Sequence, residues 1–290
     1  MSRALSELNE LVWHRLPAPV RDSRIARAYG TRMHDSVRRT ADREMYFGTL
    51  FLRNRPALEL LRQLVEDKEG GRLRIAVLGC SIGAEVYSIL WTLRPALPDL
   101  EVVVHGVDVS PEVLEYAEVG LYGSDASERV GASIFDRLTE EELEGMFDWR
   151  GDRGRIKPWL REGITWTLGD ACDPDLVESV GVQDIVVASN FLCHLDASAA
   201  ETCLRNLPRL TRAGGYLFVS GVDLDIRTRV ALDLGWTPVT ELLPEMHEGD
   251  PLVRADWPWR WWGLEPLDRT RPDWHTRYAT AFQVGAVSER

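Results

Sequence analysis

Glu85, Asp108 and Asp170 each follow an apolar run closely, and a strand delivering an acid to its own end can position a polar ligand. The first run is Arg74-Ile75-Ala76-Val77-Leu78-Gly79-Cys80-Ser81-Ile82-Gly83-Ala84-Glu85, a strand entering a small-residue turn that leads straight into a helix. Such a turn lets backbone N–H groups approach a ligand at a helix N-terminus, so something anionic or polar is expected there. A pyrophosphate prefers glycine where Ser81 stands, because G-x-G-x-x-G needs the backbone closest at that point. The G-x-S-x-G found here weakens a dinucleotide reading without removing it, and plain glycine punctuation is the bland alternative. In Val104-His105-Gly106-Val107-Asp108-Val109-Ser110-Pro111, an acid ending the second strand is placed to accept hydrogen bonds from two ribose hydroxyls. Ser110 and Pro111 read as N-cap and first helical residue, which predicts Asp108 on the loop rim rather than in the core. Its alternative is a solvated acid interacting with the helix dipole.

Two further strand ends add polar groups. In Leu168-Gly169-Asp170-Ala171-Cys172-Asp173, Asp170 can hydrogen-bond an adenine amine or simply form an Asx turn. After Asp184–Ala188, the chain presents Ser189 and Asn190 to the same edge, with His194 nearby. A lone histidine is more often packed or capping than catalytic, and only its position favours chemistry.

The elements that must hold these groups are legible in the periodicity. Residues 1–69 have apolar positions at helical spacing, and a helix over Pro56–Val65 starts with proline at an allowed position. From Arg74 onward short β-branched runs alternate with helical stretches: strands over Arg74–Leu78, Val102–Val107, Ile164–Leu168, Asp184–Ala188, Tyr216–Val219 and Tyr278–Val284. Helices are expected over Ala84–Leu93, Pro111–Val119, Ala197–Leu210 and Arg227–Leu234. That alternation predicts a parallel sheet covered on both faces. Leu243–Thr276 reads as irregular and carries Trp257, Trp259, Trp261, Trp262 and Trp274, either a lid or a packed loop.

Composition bounds the partners. The 290 residues carry a formal net charge of −12, which argues against nucleic acid and anionic membrane as partners. No apolar run approaches a membrane span and no signal-peptide core opens the chain, so a cytoplasmic protein is expected. Cys80, Cys172, Cys193 and Cys203 show no CxxC pair, which disfavours both a disulfide framework and a metal site. Lysine is confined to Lys68 and Lys157 against 34 basic residues in all, so a single arginine is weak evidence for an anion clamp. Oligomeric state is not legible.

The order of motifs resembles the class I S-adenosylmethionine (SAM)-dependent methyltransferases, and in detail the chemotaxis methyltransferase family, CheR. Thr49-Leu50-Phe51-Leu52-Arg53 stands where that family has T-x-F-F-R, and Gly79 through Ser88 where it has G-C-S-x-G-E-E-x-Y-S. Val107-Asp108-Val109-Ser110 corresponds to T-D-I-S; Ala117, Gly120 and Tyr122 to A-x-x-G-x-Y; Gly154–Pro158 to Y-R-V-K-P; and Leu210–Leu217 to L-x-P-G-G-Y-L. The resemblance covers roughly residues 45 to 225. Ala84 replaces the first glutamate of the family's pair, and Ala188 through Leu195 replaces C-R-N-V-L-I-Y-F, so that Ser189 and His194 stand where the family has Arg and Tyr. These departures make receptor glutamates doubtful targets, and the Trp-rich segment lies outside the match.

The resemblance implies an α/β fold, a doubly wound, mostly parallel seven-stranded sheet with a helical N-terminal subdomain. The division expected is 1–69 and 70–290, the latter including 243–276. The cofactor implied is SAM, held by Thr49, Arg53, Gly79, Cys80, Ser81, Gly83, Glu85, Asp108, Val109, Asp170, Ala171 and Asn190. Glu85 is expected near the methionine moiety and Asp108 on the ribose, with Thr49 and Arg53 closing over them. His194 and Arg53 are the catalytic candidates, and Trp257, Trp261 and Trp262 the acceptor pocket. Methyl transfer from a sulfonium needs in-line placement and exclusion of water more than acid–base help. The leading expectation is a small-molecule acceptor of O or N type, with no metal. Alternatives are a protein carboxylate, with Arg21 to Arg43 as a possible docking face although a solvated helix accounts for them better, or a non-catalytic SAM or dinucleotide binder.

Overall fold

A computed structural model describes residues 3–285 except 22, 44–46, 69 and 124–133. Its centre is a seven-stranded sheet of β1 (Arg72–Leu78), β2 (Glu101–Asp108), β6 (Ile164–Leu168), β7 (Gln183–Ser189), β8 (Thr211–Ser220), β9 (Thr237–Pro238) and β10 (Ala281–Gln283), in the order β6-β2-β1-β7-β8-β10-β9. Pairing is parallel from β6 through β8, and β10 runs antiparallel to both β8 and β9. The doubly wound, mostly parallel architecture is therefore as expected.

Side-chain alternation explains why both faces are covered. Ile75 and Val77 of β1 enter one apolar cluster, whereas Ala76 and Leu78 enter the other. Winding reverses between β1 and β7, so a crevice opens beyond their carboxyl ends, where α/β sheets bind ligands.

Before the sheet come helices α1 (Arg3–Arg15), α2 (Ala18–Arg21), α3 (Arg24–Thr40) and α4 (Arg55–Val65). Asn54 caps α4 by accepting from the Ala57 N–H at 3.2 Å, one residue earlier than the proline start suggested. Thr49–Arg53 is not helical: it forms an extended stretch and a turn, with Leu52 at a left-handed φ of 49° and its N–H donating to the Ser88 hydroxyl at 2.9 Å. Helices α5 (Ala84–Ala96) and α6 (Pro111–Val119) follow β1 and β2.

The sequence reading missed a second sheet, β3 (Leu121–Tyr122), β4 (Phe147–Arg150) and β5 (Arg153–Ile156), antiparallel in the order β3-β5-β4. These strands are too short for period-2 alternation to show. The stretch read as irregular contains helices at Leu243–His247, Pro251–Ala255 and Trp274–Tyr278, so the expected strand over Tyr278–Val284 shrinks to β10. Among the described residues, no helix is long and apolar enough to cross a membrane.

Candidate functional site

The turn after β1 is built from alternating left-handed residues: Gly79 at φ 63°, Ser81 at 50° and Gly83 at 87°. A side chain on Gly79 would place Cβ 2.8 Å from the Phe191 ring, so glycine is needed for space as well as for φ. Ser81 is held from both sides: its N–H donates to Asp108 Oδ2 at 2.8 Å and its hydroxyl to the Phe47 carbonyl at 2.7 Å. The Cys80 and Gly83 N–H groups go to the carbonyls of Val107 and Cys80. Donors expected to meet a ligand at these positions are therefore used inside the protein, and the turn contributes shape and a fixed acid.

That acid is Asp108. The rim position predicted for it is incorrect: only 4% of the residue is exposed. The cause is its two backbone donors, since Oδ1 also accepts from the Ser110 N–H at 3.1 Å. An ionised carboxylate has about four acceptor sites, so two bonds leave capacity for a ligand's hydroxyls. Glu85, half-buried in the first turn of α5, has its carboxyl pushed above the ordinary range by burial, with the Ser189 hydroxyl and the Arg53 charge pulling it back. Asp170 accepts the Cys172 N–H at 2.8 Å, the Asx turn that was its alternative reading. At the end of β7, Asn190 adopts φ 60° and donates its N–H to the Ser220 carbonyl at 3.1 Å. Gly221 backs onto it so tightly that a Cβ there would lie 2.4 Å from the Asn190 Cα.

These strand ends open on a cavity of about 570 Å³. Thr49, Arg53, Gly79, Cys80, Ser81, Glu85, Asp108, Val109, Asp170, Ala171, Asn190, His194, Trp261 and Trp262 all line it. Gly83 does not; it begins α5, where an added Cβ would meet Ala117 and the Trp166 ring at 3.0 Å. Trp257 is also absent from the lining, which corrects its assignment to the acceptor pocket. Its ring sits in a slot over Gly30 of α3 and packs edge-on to Trp13 at 5.7 Å. Among the described residues no cluster of His, Cys, Asp and Glu could hold a metal ion.

Arg53 points less freely at a ligand than expected, because its Nε donates to Asp250 Oδ2 at 2.8 Å. Asp250, itself on the cavity lining, also pairs with Arg137 at 3.1 Å, which ties the C-terminal segment to the chain on either side of the sheet's first half. Arg38 and Arg43, read as part of an outward helix face, turn inward instead. Arg38 pairs with Asp223 at 3.3 Å, and Arg43 donates to the Leu195 carbonyl at 2.6 Å. Sequence reasoning also missed Glu265 and Arg277, a two-bond pair at 2.6 and 3.0 Å on the lining, and the buried His34 and His247. Nothing local in the sequence marks these groups; only tertiary folding brings α3, the segment after β8 and the C-terminal stretch together.

A doubly wound sheet with an acid at the end of β2 and a glycine-serine turn at the switch point defines the Rossmann-like class of the SAM-dependent methyltransferases. The sequence profile of the CheR methyltransferase SAM-binding domain matches residues 48–224, more than half of the chain, which belongs to that family. It is 30% identical over 159 residues to the probable biofilm formation methyltransferase WspC of Pseudomonas aeruginosa, covering 54% of this chain and 36% of that protein. Against the chemotaxis protein methyltransferase of Listeria monocytogenes it is 28% identical over 178 residues, 60% of this chain and 63% of the other. The chain thus spans about a third to just under two thirds of the length of these curated relatives. Among solved structures, the magnesium protoporphyrin IX methyltransferase of Synechocystis PCC 6803 with bound SAM aligns at 16% identity over 63% of this chain and 69% of that one, with a TM-score of 0.37. At that score the likeness adds nothing to the strand order itself.

Proposed function

We propose that this chain transfers a methyl group from SAM to the O or N atom of a small molecule. The single observation behind the cofactor assignment is the Asp108 carboxylate, fixed at the end of β2 beside the glycine-serine turn with acceptor capacity to spare. The acceptor groups suit the cofactor: Asp108 matches a ribose diol, and Glu85 matches an ammonium or sulfonium charge. Asp170, already in its turn, offers its remaining acceptor sites to an adenine amine. Bound there, SAM would supply a methyl group on a sulfonium sulfur that leaves as a neutral thioether and needs no proton.

The chain's own work is then placement. Phe47 and Ser81 join the N-terminal segment to the turn, and Arg53 and Arg137 fix Asp250 on the cavity lining. Bringing acceptor and methyl to within about 3–3.5 Å and excluding water are the contributions such a fixed lining makes. His194, half-buried on the lining, is the candidate to receive a proton from a hydroxyl or amine acceptor. Support for a small molecule comes from the C-terminal wall, Asp250 with Trp261 and Trp262, which lies outside the family match.

A protein carboxylate is the second reading, favoured by relatives named chemotaxis protein methyltransferases. The two separate on incubating the chain with methyl-labelled SAM and an extract of its source cells, then fractionating by size. Label in the small-molecule fraction supports the first; alkali-labile label on protein supports the second and overturns the first.

A further inference from the structure

Resting on the small-molecule reading above, we propose that the acceptor enters the cleft uncharged, as a hydroxyl or neutral aromatic amine on a flat ring, and not as a carboxylate or an ammonium. Among the described residues four arginines line the cavity, and each already faces a carboxylate. Arg38 meets Asp35, Asp223 and Asp225 at 2.7, 3.3 and 3.2 Å. Arg43 reaches Asp223 at 3.5 Å as well as the Leu195 carbonyl at 2.6 Å. Arg53 holds Asp250 at 2.8 Å, and Arg277 holds Glu265 and Asp225, both at 2.6 Å.

A carboxylate acceptor would have to displace one of these resident acids or lose its water without a partner, and an unpaired charge in a dry site is costly. A cation would fare no better. Among the described residues Asp223, Asp250 and Glu265 are the lining acids on this side, and the arginines occupy all three. Glu85, Asp108 and Asp170 belong to the cofactor side of the proposed reading. His34 and His247 add no charge, because burial lowers them to about 4 and about 3.

Beside His194 and small polar groups such as Ser189 and Ser220, the rest of the lining offers an acceptor aliphatic and aromatic surface. Trp261 and Trp262 pack edge to face at 4.3 Å, and Asp256 fixes the second ring by accepting its Nε1–H at 2.6 Å. Phe191 and Phe218 lie on the same lining. Rigid rings of this kind bury flat apolar surface without asking for charge.

Three indoles of one ring and different charge test this: indole-3-ethanol, indole-3-acetate and tryptamine, titrated calorimetrically into protein saturated with S-adenosylhomocysteine (SAH). The neutral alcohol should bind about tenfold tighter than either ion. An ion that equals or exceeds it, or silence from all three, overturns the inference, whereas failure of SAH itself to bind removes the cofactor reading beneath it. A second arm uses Asp223→Asn, which strips Arg38 and Arg43 of a shared carboxylate. This variant should gain about tenfold for indole-3-acetate; no gain means the arginines were not neutralised as argued.

Discussion

Acid should loosen the C-terminal segment before it threatens the sheet, because two buried histidines fasten that segment as neutral rings. His34 on α3 places Nδ1 3.4 Å from the Pro258 carbonyl, and His247 places Nε2 2.8 Å from the Glu265 carbonyl. Their residues are 7% and 1% exposed. Burial, aided by the Arg38 charge, lowers His34 to about 4 from 6.5. Burial also lowers His247 to about 3, with Arg254, Arg227 and Arg277 adding to it against the Glu265 hydrogen bond. The unfolded chain therefore takes up these protons near pH 6.5 while the folded chain refuses them until about 4 or 3. Stability is intact above 6.5 and falls as pH drops toward the folded values. At about pH 5 each histidine removes about 2 kcal/mol, so the pair removes about 4 kcal/mol at most. Asp225, whose carboxyl is held below the ordinary range by Arg277 and Arg38 against its burial, gives way only at still lower pH. Urea unfolding followed by tryptophan fluorescence at about pH 7.5 and about pH 5 reads the loss directly. A His34→Gln, His247→Gln double variant should show a much flatter pH dependence. An equal loss in that variant, or none in the parent, refutes the assignment.

Other substitutions test the site piece by piece. Gly79→Ala forces a side chain into a left-handed φ at about 1–2 kcal/mol and drives it against Phe191, so it should lower Tm and abolish SAH binding; an unchanged Tm contradicts the packing described. A double-mutant cycle on Arg53 and Asp250, side chains 28% and 14% exposed, should give coupling of about 1 kcal/mol in urea unfolding. Coupling near zero removes the clamp. Trp257→Ala should cost about 3 kcal/mol of stability yet leave SAH affinity as it was, since the ring packs on Trp13 and not on the cavity; weakened SAH affinity would return Trp257 to the site.

The sheet was legible because its central strands are buried on both faces, so runs such as Ile75–Leu78 are continuously apolar, and helices such as Pro111–Val119 begin at a proline. That the residues at these strand ends line one cavity was legible for a related reason: a strand, a small-residue turn and an acid at the next strand's end are close in sequence or fixed by the fold's topology. Trp257 misled because residue type suggested an aromatic pocket, whereas the vacancy it fills is set by Gly30, over two hundred positions away. The inward roles of Arg38, Arg43 and Arg277 were not legible because Asp223, the Leu195 carbonyl and Asp225 reach them only through tertiary packing. Asp108 was located correctly along the chain and wrongly in depth, because the two N–H groups that draw it inward belong to the turn and to its own helix start.

Asp108→Ala, compared with the parent by calorimetric titration of SAH, bears most directly on the claim that the β2 acid and the adjoining turn grip the cofactor. The account predicts saturable one-site binding to the parent and at least about a hundredfold loss in a variant that still unfolds cooperatively, as removal of a doubly anchored acceptor implies. A variant that unfolds cooperatively and binds SAH as tightly as the parent would contradict it.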